Sequence, residues 1–125
     1  MKKSKPNISC VDLFCGIGGL THGLKKVGIS IAAGIDIDQE SEYPYAVNND
    51  ANFLLKDVNQ VTAEELEGLF PKDTVRLLAG CAPCQPFSTY SRSSRKNKSD
   101  DRWALLKKFG SLITEVQPEM VTMEN

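Results

Sequence analysis

No apolar run in this 125-residue chain approaches the roughly 18 residues that a membrane-spanning helix needs. The basic start, Met1-Lys-Lys-Ser-Lys-Pro6, is not followed by an apolar signal core with a small-residue cleavage site. Both absences lead us to expect a cytoplasmic protein, or a nuclear one where the cell has a nucleus. An excess of one charge is lacking too. Fifteen Lys and Arg against 16 Asp and Glu leave a formal charge of −1. A globally basic surface for nucleic acid is thereby excluded, and any such contact must come from a local patch. There is no internal repeat and no low-complexity tract. Cysteine is sparse: Cys10, Cys15, Cys81 and Cys84 do not make the dense framework of a disulfide-stapled secreted scaffold. Cytoplasmic thiols fit better.

The hydrophobic content, 41%, is enough for one compact domain with a single core and too little for two. Ile8 to Phe14 is a short β-favouring run, followed by the glycine cluster Gly16-Ile-Gly-Gly19. Leu20, Leu24 and Val27 recur at helical spacing, with His22, Lys25 and Lys26 opposite, and Gly28 is a fitting stop. A second strand spans Ile29 to Ile35 and leads to Asp36. A second helix is expected from about Pro44, in its first turn, to Asn49. Phe53 to Val58 reads as a third strand. Thr62-Ala-Glu-Glu65 fits a capping box, with Leu66, Leu69 and Phe70 behind it and Pro71 as the stop. Val75 to Gly80 is a fourth strand. Cys81 to Asp101 is polar and reads as a long loop, of the kind that is usually functional or disordered. Leu105, Leu106, Phe109, Leu112, Ile113 and Val116 mark an amphipathic helix, broken at Gln117-Pro118. Glu119 to Glu124 is a fifth strand.

Alternation of this kind predicts an α/β fold, a parallel sheet with helices on both faces. Such sheets bind ligands beyond the carboxyl ends of their strands. Phe14, Asp36, Asp57, Gly80 and Glu124 all fall at those ends. Glycines after a first strand let backbone approach a ligand closely. An acidic residue at the end of a second strand can accept from both ribose hydroxyls of a nucleoside. Asp36 lies 17 residues beyond Gly19, so the pair points to an adenosine-containing cofactor. The dinucleotide pattern G-x-G-x-x-G fails, because Thr21 stands where the third glycine belongs, and the phosphate-loop ending Gly-Lys-Ser/Thr is absent. A sulfonium cofactor carries no phosphate and needs neither. That the glycines only make a tight turn stays open at this point.

Gly80-Cys-Ala-Pro-Cys-Gln-Pro-Phe-Ser88 is the most informative stretch. Cys84 is flanked by Pro83 and, after Gln85, by Pro86. Proline fixes its own backbone and restricts its predecessor, so a thiol there is pre-positioned. Cys81 and Cys84 form a C-x-x-C pair, but a redox motif of that type opens a helix near a first strand, whereas this one follows a fourth. A four-cysteine zinc site lacks its second tight pair, since four residues separate Cys10 from Cys15. Cys10, inside a strand, reads as a buried inert thiol.

Asp12-Leu-Phe-Cys-Gly-Ile-Gly-Gly19, then Gly80 to Ser88, then Glu124-Asn125 resemble the motifs of the DNA cytosine-5 methyltransferase family, in order and in approximate spacing. The resemblance covers nearly the whole chain. It implies a Rossmann-like fold that binds S-adenosyl-L-methionine, incomplete at its C-terminus. Residues 1–125 would be the N-terminal portion of the cofactor-binding and catalytic domain, with the target-recognition domain absent. By similarity, Phe14, Gly16, Gly18 and Gly19 line the cofactor pocket. Asp36 would hold the ribose, Ile37, Asp57 and Val58 the adenine, and Leu105 would be a further contact. Pro83, Cys84 and Gln85 match the catalytic loop, and Glu124 the acid of a Glu-Asn pair. Between Asp38 and Asn49 the sequence departs from the family's usual pattern, which leaves the start of the second helix open.

The implied reaction is methyl transfer to carbon 5 of cytosine in DNA, with double-stranded DNA as partner and the target base flipped out. Carbon 5 is a poor nucleophile. Addition of a Cys84 thiolate to carbon 6 makes carbon 5 enamine-like, which divides one hard step into easier ones. Glu124, sharing a proton with ring nitrogen 3 at a buried strand end, would stabilise the adduct. Ser88, Arg92, Arg95, Lys96 and Lys98, in the polar stretch, are candidate nucleic-acid contacts, and basic groups there would give affinity without sequence choice. A role in restriction-modification is expected for a microbial source. The alternatives are a tRNA cytosine-5 methyltransferase, an inactive cofactor-binding fragment, or one subunit whose missing motifs lie on a second chain. Apolar surface where later strands belong is expected to be exposed.

Overall fold

The computed structural model describes residues 3–82 and 95–124, with side chains described throughout except at 95–102. Five strands form one wholly parallel sheet: β1 (Ile8–Leu13), β2 (Ser30–Asp36), β3 (Phe53–Leu55), β4 (Val75–Gly80) and β5 (Met120–Met123), in the order β3-β2-β1-β4-β5. The helices are α1 (Gly19–Lys26), α2 (Glu42–Asn49), α3 (Ala63–Leu69) and α4 (Arg95–Val116). The chain runs outward from β1 to β3, then returns to lay β4 on the other side of β1. Strand order therefore reverses between β1 and β4, which is where sheets of this kind bind ligands.

The period-two alternation of a strand sends neighbouring side chains of β1 to opposite faces. Val11 and Leu13 join Ile35, Leu78, Leu66, Phe109, Leu112 and Val116 in the larger core, beneath α3 and α4. Cys10 joins Leu77 and Ala79 on the other face, beneath Leu20 and Leu24 of α1. Parallel strands covered on both faces read as nearly continuous apolar runs, as these do. Within β1 the polar positions are Ser9 and Asp12, both buried.

Most expected elements are present, and the differences have local causes. The capping box exists as read: the Glu65 amide donates to Thr62 Oγ1 at 3.1 Å and the Thr62 amide to Glu65 Oε2 at 3.0 Å. The third strand is shorter than expected. Asp57 ends the extended run by accepting the Asn59 amide at 2.9 Å and capping a 3-10 turn over Val58–Gln60. The second helix begins at Glu42, after a 3-10 turn over Gln39–Ser41 capped by Asp38, and Pro44 sits in its first turn. Val27 does not share an apolar face with Leu20 and Leu24. It is the C-cap of α1 and 75% exposed, while the side chain that α1 buries completely is Thr21. The long loop expected to Asp101 ends sooner, because α4 already begins at Arg95. A helix nucleated on its apolar face extends into a polar stretch free of Pro and Gly at little cost. At the sheet edge, Met120, Val121 and Met123 of β5 are exposed, as anticipated for that side.

Candidate functional site

Hydrogen bonds lace the carboxyl ends of the strands together. The Cys15 amide donates to Ile35 O at 3.1 Å, the Cys81 amide to Leu13 O at 3.3 Å, and the Glu124 amide to Gly80 O at 2.9 Å. The ends of β1, β2, β4 and β5 are thus fixed relative to one another. Above them lies a cavity of about 450 Å³, within the range of small-molecule sites.

Phe14, Asp36, Ile37, Asp57, Val58 and Leu105 line this cavity. Those six sequence-predicted positions come from four separate parts of the chain and meet only in the fold. Phe14 has a φ of +55°, a left-handed conformation that disfavours side chains larger than Asn or Asp and is typical of ligand sites. Asp36 is half-buried. Its Oδ2 accepts the Gly16 amide at 2.8 Å and its Oδ1 the Asp38 amide at 2.9 Å. A carboxylate has about four lone-pair sites, so each oxygen keeps capacity for a further donor while the group is held rigid.

The three glycines do not line the cavity but build the turn beside it. Gly16 has φ +52° and supplies the amide that buttresses Asp36. Gly18 has φ +93°, and a Cβ there would lie 2.3 Å from Asn49 Nδ2 and 2.7 Å from the Tyr45 ring. Gly19 opens α1, and among the described residues a Cβ on it would meet nothing within 4 Å.

Asn59, Cys81 and Ala104 also line the cavity and were not assigned to it from sequence. Asn59 follows from the Asp57-capped turn, a legible Asp-x-Asn signal. Cys81 was read only as the partner of Cys84 in a C-x-x-C pair, and Ala104 carried no signal of its own. The polar cluster under the turn was also missed. Asp12 Oδ2 accepts the Thr21 hydroxyl at 2.7 Å, and Thr21 Oγ1 lies 2.9 Å from the Tyr45 hydroxyl. Burial pushes the Asp12 carboxyl up to about 6, opposed by Thr21 and reinforced by Asp36 and Glu124. The hint was Gly34 inside an otherwise apolar strand, which marks close approach by another group. A Cβ there would lie 2.4 Å from the end of the Tyr45 ring.

The buried Cys10 thiol is pushed up to about 12, by burial first and then by Asp12, and Cys15 is raised by burial, Asp12 and Asp36. Burial and the neighbouring carboxylates disfavour the thiolate at both positions, which fits structural thiols. No group of His, Cys, Asp and Glu that could hold a metal exists among the described residues, and no described helix is long and apolar enough to cross a membrane. Glu124 stands just beyond β5 and is exposed rather than buried. Pro83, Cys84, Gln85, Ser88 and Arg92 lie outside the described residues. Arg95, Lys96 and Lys98 fall on the first turns of α4 rather than in a loop, and only their backbone is described.

Comparison with known proteins gives the same picture. The profile of the C-5 cytosine-specific DNA methylase family matches residues 8–125. The type II methylase M.HgiDII of Herpetosiphon aurantiacus is 45% identical over 115 residues, which cover 92% of this chain and 32% of that protein. DNA (cytosine-5)-methyltransferase 1 of Rattus norvegicus is 31% identical over 131 residues, covering 96% of this chain and 8% of the relative. The chain thus spans about a third or less of the length of these relatives. Among solved structures, an E. coli prophage-encoded protein superposes with a TM-score of 0.70 at 30% identity, covering 89% of this chain and 30% of its own. The S. pombe Dnmt2 methyltransferase, at 24% identity, shares the fold with a TM-score of 0.69 over 92% of this chain and 35% of that one. With the family profile matched from β1 to the end of the chain, this protein belongs to the C-5 cytosine-specific DNA methylase family.

Proposed function

We propose that the intact protein carrying this segment transfers a methyl group from S-adenosyl-L-methionine to carbon 5 of cytosine in double-stranded DNA, through a covalent adduct on Cys84, and serves a restriction-modification system. The observation that carries the reading is the assembly of Phe14, Asp36, Ile37, Asp57, Val58 and Leu105 around one cavity at the strand-order reversal. In this reading residues 1–125 are the N-terminal portion of the cofactor-binding and catalytic domain, and target recognition resides elsewhere. The type II methylase among the relatives supports the restriction-modification role.

The donor set suits the cofactor. Asp36 keeps acceptor capacity for two ribose hydroxyls. Phe14, Ile37, Val58 and Leu105 offer apolar surface for a purine, and Asp57 an acceptor for its amino group. A left-handed glycine turn replaces the phosphate-binding loop that a nucleotide would need. When bound, the cofactor supplies an electrophilic methyl group. The rest belongs to the protein. Cys84 Sγ, as thiolate, forms a bond to carbon 6, and the electron pair moves toward carbon 5, which would take the methyl group as the sulfonium–methyl bond breaks and a neutral thioether leaves. Glu124 shares a proton with ring nitrogen 3 and so stabilises the added charge. Loss of the carbon-5 proton to a base then expels the thiolate. Ser88, Arg92, Arg95, Lys96 and Lys98 contact the DNA backbone and position the duplex from which the base is flipped.

The test is covalent trapping of the intact protein on DNA containing 5-fluorocytosine, in the presence of S-adenosyl-L-methionine. The wild type and Cys81→Ser form the trapped complex, and Cys84→Ser does not. Trapping that survives loss of Cys84 would remove it as the nucleophile. Methylation of tRNA in preference to DNA by the same preparation would move the reading to a tRNA methyltransferase.

A further inference from the structure

Helix α1 starts without the usual cap. Its N-cap, Gly18, has no side-chain acceptor, although the first amides of a helix need partners. An ordinary capping residue does not fit, because of the positive φ and the contacts with Asn49 and Tyr45 described above.

A polar partner for the first turn of α1 comes from β1 instead. Asp12 accepts the hydroxyl of Thr21, the third residue of α1, and the Thr21 backbone amide lies close enough to favour the ionised carboxyl. Negative charge at a helix N-terminus is also favoured by the helix dipole. A threonine hydroxyl has one hydrogen. Since Asp12 takes it, the phenol of Tyr45 must donate in the 2.9 Å contact. Tyr45 comes from α2, its ring seated against Gly18 and Gly34. One turn later on α2, Asn49 Nδ2 donates to Ile17 O at 3.3 Å, inside the glycine turn. The turn is therefore gripped from β1, α1 and α2 together. Any loosening would reach the cavity by two routes: the Gly16 amide that holds Asp36, and Phe14 at the entry to the turn.

We propose that Asp12, Thr21 and Tyr45 form a buried clasp that fixes the Gly16–Gly19 turn in its cofactor-receiving shape, which makes all three positioning residues for cofactor binding and not catalytic ones. This rests on the reading that the adjoining cavity takes S-adenosyl-L-methionine.

The experiment is calorimetric titration of the intact protein with S-adenosylhomocysteine, paired with steady-state methylation kinetics. Thr21→Val removes the hydroxyl and keeps the shape, and roughly tenfold weaker binding is expected from the loss of a buried hydrogen bond. Thr21→Ser restores the hydroxyl and returns binding to near the wild-type level. Tyr45→Phe keeps the ring over Gly18 and Gly34 and weakens binding by about threefold. The KM for S-adenosyl-L-methionine rises in step, while kcat and the KM for DNA stay within about twofold, a split that general destabilisation would not give. Wild-type affinity in Thr21→Val and Tyr45→Phe overturns the clasp, as does a Thr21→Ser protein that binds as weakly as Thr21→Val. If Thr21→Val does not fold, Tyr45→Phe decides alone, weaker binding supporting the clasp and unchanged binding overturning it. A wild-type protein without affinity for S-adenosylhomocysteine would instead sink the cofactor reading on which the clasp rests.

Discussion

On the β2 side of the sheet, Asp12, Thr21 and Tyr45 are fully buried, and their hydrogen bonds are 2.7 and 2.9 Å long. On the β5 side, Arg76 and Glu119 meet at the surface, with Arg76 Nε 3.0 Å from Glu119 Oε2. Both contacts join a strand to a neighbouring element, yet they act differently. A buried polar group without its partner loses its hydration and gains nothing in return, so a buried cluster admits essentially one arrangement. An exposed pair exchanges with water and salt, and its net contribution is small. The buried cluster beside the cavity specifies geometry. The surface pair at the foot of β4 only adds to stability.

The largest expected effect breaks that comparison at its tightest point. In Gly18→Ala the new Cβ would overlap Asn49 and Tyr45 on a backbone with φ +93°. Strain and overpacking together should destabilise the protein by roughly 2–4 kcal/mol, and cofactor binding should be lost. Gly19→Ala is the control, since its Cβ meets no atom of the described residues. Its stability should stay within about 1 kcal/mol of wild type, because Ala is the better helix former. Melting curves with and without S-adenosylhomocysteine separate the two. A Gly19→Ala protein that melts normally but no longer binds would show that the space at residue 19 is taken by ligand.

The same contrast governs what sequence alone could reveal. Strand and helix order, the capping box at Thr62 and the strand-end positions Phe14, Asp36 and Asp57 were legible, because periodicity and strand-end chemistry are local signals, whereas Leu105, on a helix, was reached only through the family resemblance. The clasp was not. Thr21 reads as a polar interruption of an amphipathic helix, and Tyr45 as one of two tyrosines flanking Pro44. Nothing local separates Tyr45, fully buried, from Tyr43, 77% exposed. Their meeting depends on Gly34, a residue on another strand. Val27 misled in the opposite way: its spacing matched the apolar face, but the helix ended first, at Lys26.

Asp12 carries the next effect. Its carboxyl has a pKa of about 6 in the fold against 3.8 when unperturbed, chiefly from burial. Below pH 3.8 both folded and unfolded chains hold the proton, and the shift costs nothing. Between there and about 6 the unfolded chain ionises first and stability falls. Above 6 the full cost stands. Asp12→Asn carries no charge, so it should melt several degrees above wild type at about pH 7.5. The gain should shrink as the pH is lowered through 6 toward 4. Cofactor affinity should fall at the same time, because the charge facing α1 is gone. An Asp12→Asn protein less stable than wild type at neutral pH would mean that the carboxylate's hydrogen bonds outweigh its desolvation.

The smallest effect belongs to the surface. Arg76 holds the Glu119 carboxyl down to about 2 by donating to it from side chain and amide. This contribution is present above pH 4.5 and is lost as the pH falls toward 2. Arg76 also donates to Val116 O at 3.3 Å and Gln117 O at 2.9 Å, satisfying carbonyls at the end of α4. Arg76→Ala should therefore lower the melting temperature more than Glu119→Gln, which keeps those two contacts. The Glu119→Gln change should be visible in low salt and fade near about 0.15 M, where exposed charges are screened. Neither variant should alter S-adenosylhomocysteine affinity, because no atom of the pair lines the cavity. If Glu119→Gln did weaken binding without lowering the melting temperature, the contrast between the two contacts would fail. The surface contact at the foot of β4 would then be coupled to the cavity above it, and β4, which carries Arg76 at its start and Gly80 at its end, would be the element that transmits the effect.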